Sequence, residues 1–222
     1  MKEPTLEDVL VKATELQSIV PGAVLVGGAG DAFHARHRVS FDHDHVLHDL
    51  TARFDTVLEN LEALADWSLA RVRPGKIILG SLGDIETGIR QLIRTRPLEV
   101  EEVDVDGRTL VVPTIEETLR VKCWLAVTRN QTRDYLDVAA LADRLGTQRA
   151  ATVIAGIDPY YSDVNATPDA VTTQVVRQLA DPRPRDHRTT TELDTYKGLD
   201  ERWHDWNEVR RALRELAEAV VS

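Results

Sequence analysis

Apolar residues recur along this chain with two different spacings, and the spacing changes several times before the last third. Leu6, Val9, Leu10, Ala13, Leu16 and Ile19 lie three or four positions apart, which predicts a helix with one apolar stripe. Pro21-Gly22 ends it. Ala23 to Val26 is a short apolar strand running into Gly27-Gly28, and 29–35 reads as a short helix, so the local plan is strand, glycine turn, helix. Residues 38–46 alternate in the manner of a strand. Helical spacing returns from Leu50 to Leu64 through Phe54, Val57, Leu58 and Leu61. The stretch 67–79 is expected to form two strands around the turn sequence Arg73-Pro74-Gly75-Lys76, 85–93 a helix, and 98–112 a hairpin turned at Asp106-Gly107.

Thr114-Ile115-Glu116-Glu117 has the spacing of a capping box and opens a helix expected to reach Arg129. The next helix starts near Thr132 and stops at Gly146, a residue suited to the left-handed position after a helix end. Helical segments near 148–155, 169–179 and 203–220 follow, separated by Asp158-Pro159 and by Asp181-Pro182-Arg183-Pro184-Arg185. The pattern is that of an α+β chain: a mixed-sheet core over 1–146 and a helical region over 147–222.

Composition narrows the field. With 222 residues, 42% of them hydrophobic, the chain can bury a full core. A single cysteine, Cys123, cannot form an internal disulfide, and no charged segment followed by an apolar run marks a signal peptide, so the cytoplasm is expected. No apolar run approaches the roughly 20 residues that span a bilayer, and no membrane association is expected. The 37 acidic residues against 27 Lys and Arg give a net charge of −10, which argues at first against nucleic acid. Arg71, Arg73, Lys76, Arg90, Arg94 and Arg96 nevertheless cluster with only Asp84 and Glu86 among them, and Arg177, Arg183, Arg185 and Arg188 form a second group. Such clusters suit an RNA backbone, or a solvated surface balanced by acids brought near in the fold.

Candidate chemistry concentrates in two stretches. If 38–46 is a strand, Ser40, Asp42 and Asp44 share one face and His43 and His45 the other. The two carboxylates, about 7 Å apart at their roots, suit one or two hard cations such as Mg²⁺. Gly27-Gly28 at a helix start offers backbone N–H groups to phosphate. A chance pair of acids is the plainer alternative. A zinc cluster of His34, His37, His43, His45 and His48 is disfavoured, because alternation turns His43 and His45 away from the aspartates. In the second stretch, Lys122 sits on the apolar side of its helix with Arg129 seven residues on, and Arg133, Asp134 and Asp137 open the next. An ion-pair network joining two helices accounts for these residues equally well.

Taken in order and spacing, Gly27-Gly28, SFDHD at 40–44, RVKCWLAVTR at 120–129 and RDYLD at 133–137 resemble the AbiEii-type nucleotidyltransferase toxins, a group that includes the mycobacterial MenT toxins. The resemblance covers about Val24 to Gly146. It implies a DNA-polymerase-β-like nucleotidyltransferase fold, a mixed-sheet core with a helical C-terminal part. It also implies Mg²⁺-dependent (or Mn²⁺-dependent) transfer of a nucleoside monophosphate from an NTP to the 3′ end of tRNA, blocking aminoacylation, and a cognate antitoxin. By position, Asp42 and Asp44 match the metal-binding and catalytic aspartates, Gly27 and Gly28 the phosphate-side glycines, and Lys122 the lysine near the nucleotide phosphates. Arg129 stands nearby to offset pyrophosphate charge. Asp137 matches the later catalytic aspartate, as base, metal ligand or orienter, with Arg133 and Asp134 as supports. Ser40 is expected to touch the nucleotide or the metal shell. A third carboxylate is unplaced among Asp84, Glu86, Asp104 and Asp106. The same core could instead modify an aminoglycoside-like small molecule or a protein hydroxyl, or bind nucleotide without catalysis.

Overall fold

A computed structural model describes residues 4–196 and 198–222. They form two units. The first comprises the chain up to Phe33 together with Val39–Thr114, and the second comprises His34–Arg38 and Ile115–Ser222. The division therefore falls at residue 114 and not at 146, because the two helices after Thr114 share their core with the helices that follow.

The first unit contains α1 (Leu6–Ile19), β1 (Val24–Val26), most of α2 (Gly27–Ala35), β2 (Asp42–Leu47), α3 (Leu50–Glu62), β3 (Trp67–Arg73), β4 (Ile77–Leu82), β5 (Ile85–Gln91), β6 (Val100–Val105) and β7 (Arg108–Pro113). Five strands make a mixed sheet in the order β1-β2-β5-β4-β3, in which β2 and β5 run parallel and the other pairs antiparallel. The parallel pair is joined through α3, β3 and β4. Two expectations are corrected here. Ile85–Gln91 is a strand where a helix was expected over 85–93: Ile85, Thr87 and Ile89 are buried at period two, and ladders on both sides satisfy the backbone. The strand expected over 38–46 starts only at Asp42, so Ser40 lies on its approach.

One face of the sheet is covered. Leu16 and Val20 from the α1 end and Leu50, Phe54, Val57 and Leu61 from α3 pack on Leu47, Ile78, Leu82 and Ile89. β6 and β7 form a separate hairpin turned at Asp106 and Gly107, both at positive φ, as the tight hairpin turn requires. Val105, Leu110 and Val112 join Val9, Leu10, Leu25 and Ile85 in a second cluster. The side-chain amide of Gln17 imitates a neighbouring strand: it donates to the carbonyl of Val111 and accepts from its N–H, both at 2.8 Å.

The second unit is helical: α4 (Ile115–Thr128), α5 (Thr132–Leu145), α6 (Thr147–Ala155), the short α7 (Asp158–Tyr161), α8 (Val171–Ala180) and α9 (Trp206–Val221). α9 buries Val209, Leu213, Leu216 and Ala217, one stripe at helical spacing. These meet Leu119, Cys123 and Trp124 of α4 and Tyr135, Leu136 and Leu141 of α5 in one cluster, where Trp124 stacks on Tyr161. Gly146 takes φ +83° after α5.

Ile89, fully buried at the centre of the sheet, tests this architecture. Ile89→Ala is expected to cost about 2–5 kcal/mol of unfolding free energy in urea titration, and a loss well under 1 kcal/mol would contradict a packed sheet face.

Candidate active site

The parallel register of β2 and β5 decides what stands beside each carboxylate. Asp42 lies opposite Glu86, Asp44 opposite Gly88 and Val46 opposite Arg90. Extending across β4 and β3, three rows cross this open face: Asp42, Glu86, Ser81, Ser68; Asp44, Gly88, Leu79, Arg71; and Val46, Arg90, Ile77, Arg73. The groove over the first two rows has a volume of about 590 Å³, and Asp84 joins its lining.

Asp44 occupies a seat that two glycines make. A Cβ on Gly88 would stand 2.3 Å from Asp44 Oδ1, and one on Gly27 would stand 3.3 Å from Asp44 Cβ. Gly27 also adopts φ +72° at the junction of β1 and α2, a left-handed conformation that favours glycine. Arg90 Nε lies 3.6 Å from Asp44 Oδ1. Ser40, buried just ahead of the strand, donates its hydroxyl to Asp42 Oδ1 at 2.9 Å. It thus meets the carboxylate from the approach to β2 and not from the strand face. Gly28 is in the first turn of α2.

His43 and His45 are fully buried on the opposite face, 3.4 Å apart through their Nδ1 atoms, and the Thr87 hydroxyl meets His43 Nδ1 at 3.0 Å. Burial, only partly offset by the nearby charge of Asp42, pushes His43 down to about 4, and burial together with His43 lowers His45 as well. Both are neutral at physiological pH. The open face therefore offers oxygen donors alone, which fits a hard cation and not zinc. Among the described residues no three His, Cys, Asp or Glu side chains converge on one point, so Asp42 and Asp44 would hold such a cation with oxygens from a bound substrate completing its shell.

The second motif stretch lies in the helical unit and makes a buried ion cluster. Asp137, with no exposed surface, accepts from His37 and from Arg38 Nε at Oδ1, 2.8 and 2.9 Å, and from Lys122 Nζ at Oδ2, 2.8 Å. Burial alone would raise this carboxyl, but Arg38, Lys122 and His37 hold it well below the usual carboxylate range. Both carboxylate oxygens of Asp137 are thus taken up by these partners. Arg129 pairs with buried Asp134, which also accepts from the Gln131 N–H at the start of α5. Arg133 is exposed and makes no ion pair among the described residues.

Two groups escaped the sequence reading. Gly88 was hidden by reading 85–93 as a helix, which also concealed that Glu86, one of four candidates for a further carboxylate, stands beside Asp42. The period-two burial of Ile85, Thr87 and Ile89 was the available signal.

No family model matches the chain. A stretch of 129 residues, 58% of the chain, is 39% identical to the heme uptake protein MmpL11 of Mycobacterium tuberculosis and 36% identical to the mycolic acid-containing lipids exporter MmpL11 of Mycolicibacterium smegmatis. The match spans only 13% of either transporter's length. Among solved structures, an antigenic nucleotidyltransferase-like protein from Paracoccidioides brasiliensis aligns with TM-score 0.47 at 16% identity, covering 77% of this chain and 93% of its own. A putative nucleotidyltransferase from H. pylori aligns with TM-score 0.53 at 15% identity, over 99% of this chain and 96% of its own. The chain has a nucleotidyltransferase fold. Within that fold the mixed five-stranded sheet carries Asp42 and Asp44 on its open face, and an α+β core is followed by helices as the sequence suggested.

Gly88→Ala is expected to displace the Asp44 carboxylate and to weaken Mn²⁺ binding, followed by electron paramagnetic resonance, by about 10- to 100-fold. Unchanged affinity in a variant with wild-type circular dichroism would remove the glycine seat from the account. Acid stability gives a second test. Folded His43 resists protonation down to about 4 while the unfolded side chain accepts a proton near 6.5. Its neutral burial therefore contributes stability that is complete above 6.5 and lost as pH falls toward 4. His43→Leu should flatten the dependence of urea unfolding on pH in that window, and an unaltered slope would exclude this origin.

Proposed function

We propose that this chain is a nucleotidyltransferase that moves a nucleoside monophosphate from an NTP to a hydroxyl acceptor, and that the acceptor is the 3′ end of tRNA. The observation that carries the catalytic reading is the Asp44 seat: Gly27 and Gly88 both give up a side chain so that one carboxylate can stand beside Asp42 on an open sheet face. A Mg²⁺ ion held by Asp42 and Asp44 would supply neutralisation of phosphate charge and activation of the acceptor oxygen. Ser40 fixes the rotamer of Asp42 through its hydrogen bond. Gly27 and Gly28, at the start of the nine-residue helix α2, present backbone N–H groups suited to phosphate. Arg90 balances Asp44 and stands ready to share charge with the polyphosphate. Asp137 holds Lys122 and Arg38 in fixed positions, and Arg129, steadied by Asp134, adds positive charge on the same helical unit.

The acceptor reading rests on the order of the Gly-Gly, SFDHD, RVKCWLAVTR and RDYLD motifs, which resembles the AbiEii-type toxins. It brings with it a cytoplasmic site of action and a cognate antitoxin. Among the described residues no helix is long and apolar enough to cross a membrane. Heme uptake and lipid export are properties of transporters of which this chain matches about an eighth, and neither enters the reading.

A second acceptor class has one observation in its favour. The groove is lined by Asp84 and Glu86 in addition to the aspartate pair, against Arg90 alone, a balance that suits a cationic hydroxylated small molecule such as an aminoglycoside. Incubation with each α-labelled NTP, Mg²⁺, total tRNA and, separately, an amino sugar decides between them. Label is expected on RNA and is expected to be lost in Asp42→Asn. Label on the amino sugar alone would transfer the assignment to the second class, and bound NTP with no labelled product of either kind would reduce the chain to a nucleotide-binding module.

A further inference from the structure

In the sheet unit Arg53 pairs with Asp49, Arg90 with Asp44, Arg96 with Glu99 and Arg108 with Glu15. Arg71, Arg73 and Lys76 differ. All three are exposed at the end of the β3–β4 hairpin, and among the described residues none makes an ion pair. A chain with ten more acids than Lys and Arg has every opportunity to pair its cations, so three unpaired ones in one place call for a reason.

The backbone gives one. β3 is the sheet edge, and its register on β4 shifts between Leu69 and Arg71. Strict alternation from Ser68 would put Ala70 and Val72 on the groove face. Ala70 does line the groove, but the extra residue of the bulge then brings Arg71 opposite Leu79 and Arg73 opposite Ile77, on the same face as Asp44, Gly88 and Arg90. Three inter-strand steps separate the Asp44 and Arg71 backbones, about 14 Å at ordinary strand spacing.

We propose that Arg71, Arg73 and Lys76 form the track that holds the phosphate backbone of the RNA acceptor as it approaches the Asp42–Asp44 end of the groove. The inference rests on the transfer of nucleotide to RNA and adds where the acceptor lies. Phosphates are the chemistry that three unpaired cations in a row recognise, and an acidic remainder of the surface confines the RNA to that row. The rival account treats the cations as guards that keep an exposed edge strand from pairing with another copy. A guard needs charge on the edge, not on a particular face, whereas the bulge selects the face.

The test uses the whole chain with Arg71, Arg73 and Lys76 all replaced by alanine, substitutions at exposed positions. The variant is expected to raise KM for tRNA severalfold with kcat and the KM for NTP unchanged. It should also lower the slope of log affinity against log salt by about 2 to 3, as loss of three phosphate contacts dictates. Adding Val72→Arg, a cation on the opposite face of the same strand, should restore neither. Wild-type KM and salt slope in the triple variant would overturn the track while leaving RNA labelling, and hence the nucleotidyltransferase reading, intact. Recovery of RNA affinity by Val72→Arg, or self-association of the triple variant with unchanged KM, would hand the residues to non-directional charge or edge protection. If the wild type labels no RNA, the acceptor reading and the track fall together.

Discussion

The candidate site depends on the pairing of one six-residue strand. β2 is gripped by β1 on one side and by β5 on the other, and that double ladder fixes which way each side chain points. A slip of one residue would put His43 and His45 into the groove and bury the aspartates. The cost of such a slip explains the unusual sequence of the strand. Two ionised carboxylates could not replace two neutral imidazoles in the core without heavy desolvation, and the imidazoles are kept neutral by that burial. Specificity of register and separation of chemistry are thus the same fact. Parallel pairing with β5 adds the second constraint, because only a residue without a side chain can stand opposite Asp44.

The Asp137 cluster obeys a different logic. A buried carboxylate with three cationic or potentially cationic partners is not an economical way to stabilise a helical unit, since apolar residues of the same size often serve as well or better. What the cluster does provide is fixed geometry. Both oxygens of Asp137 are engaged, and the segment His34–Arg38 is tied into the helical unit by His37, by Arg38 and by the Asp200 N–H donating to the His37 carbonyl at 2.8 Å. That segment runs directly into Ser40 and Asp42 in sequence. Charged residues at regular spacing in the sequence thus meet in one buried cluster, where each holds the others in place.

Most of the secondary structure was legible because single elements obey a single period. α1 follows its apolar stripe to the residue, and the turn at Asp106-Gly107 follows from residues that accept positive φ. The failure at 85–91 has an equally physical origin. Ile85, Ile89 and Gly88 satisfy a helical spacing nearly as well as a strand spacing, and the deciding contribution, hydrogen bonding to β2 and β4, comes from segments that lie elsewhere in the chain. The unit boundary was missed for a related reason: nothing in the sequence of α4 says that its apolar face will meet α5, α6 and α8. At the site, the aspartates and Gly27 were visible as motifs, whereas the burial of Asp137 and the seat provided by Gly88 are properties of packing alone.

Net charge alone does not describe what a ligand meets on this surface. Charge acts on a ligand through what remains after internal pairing, over distances of about 8 to 10 Å at physiological salt. Much of the acidic and basic content of this chain is spent internally, as in Arg149 with Glu116, Arg177 with Asp169, Arg202 with Asp143 and Arg211 with Glu208 and Glu215. Such pairs cancel within the sum of −10, which says nothing of where the remaining charges lie. A ligand drawn along the sheet face meets instead carboxylates at the β2 end and unpaired cations at the β3 end, separated by the apolar Leu79 and Ile77. That polarity across four strands is set by register and by one bulge, because regular alternation from Ser68 through Ala70 would turn Arg71 and Arg73 to the other face.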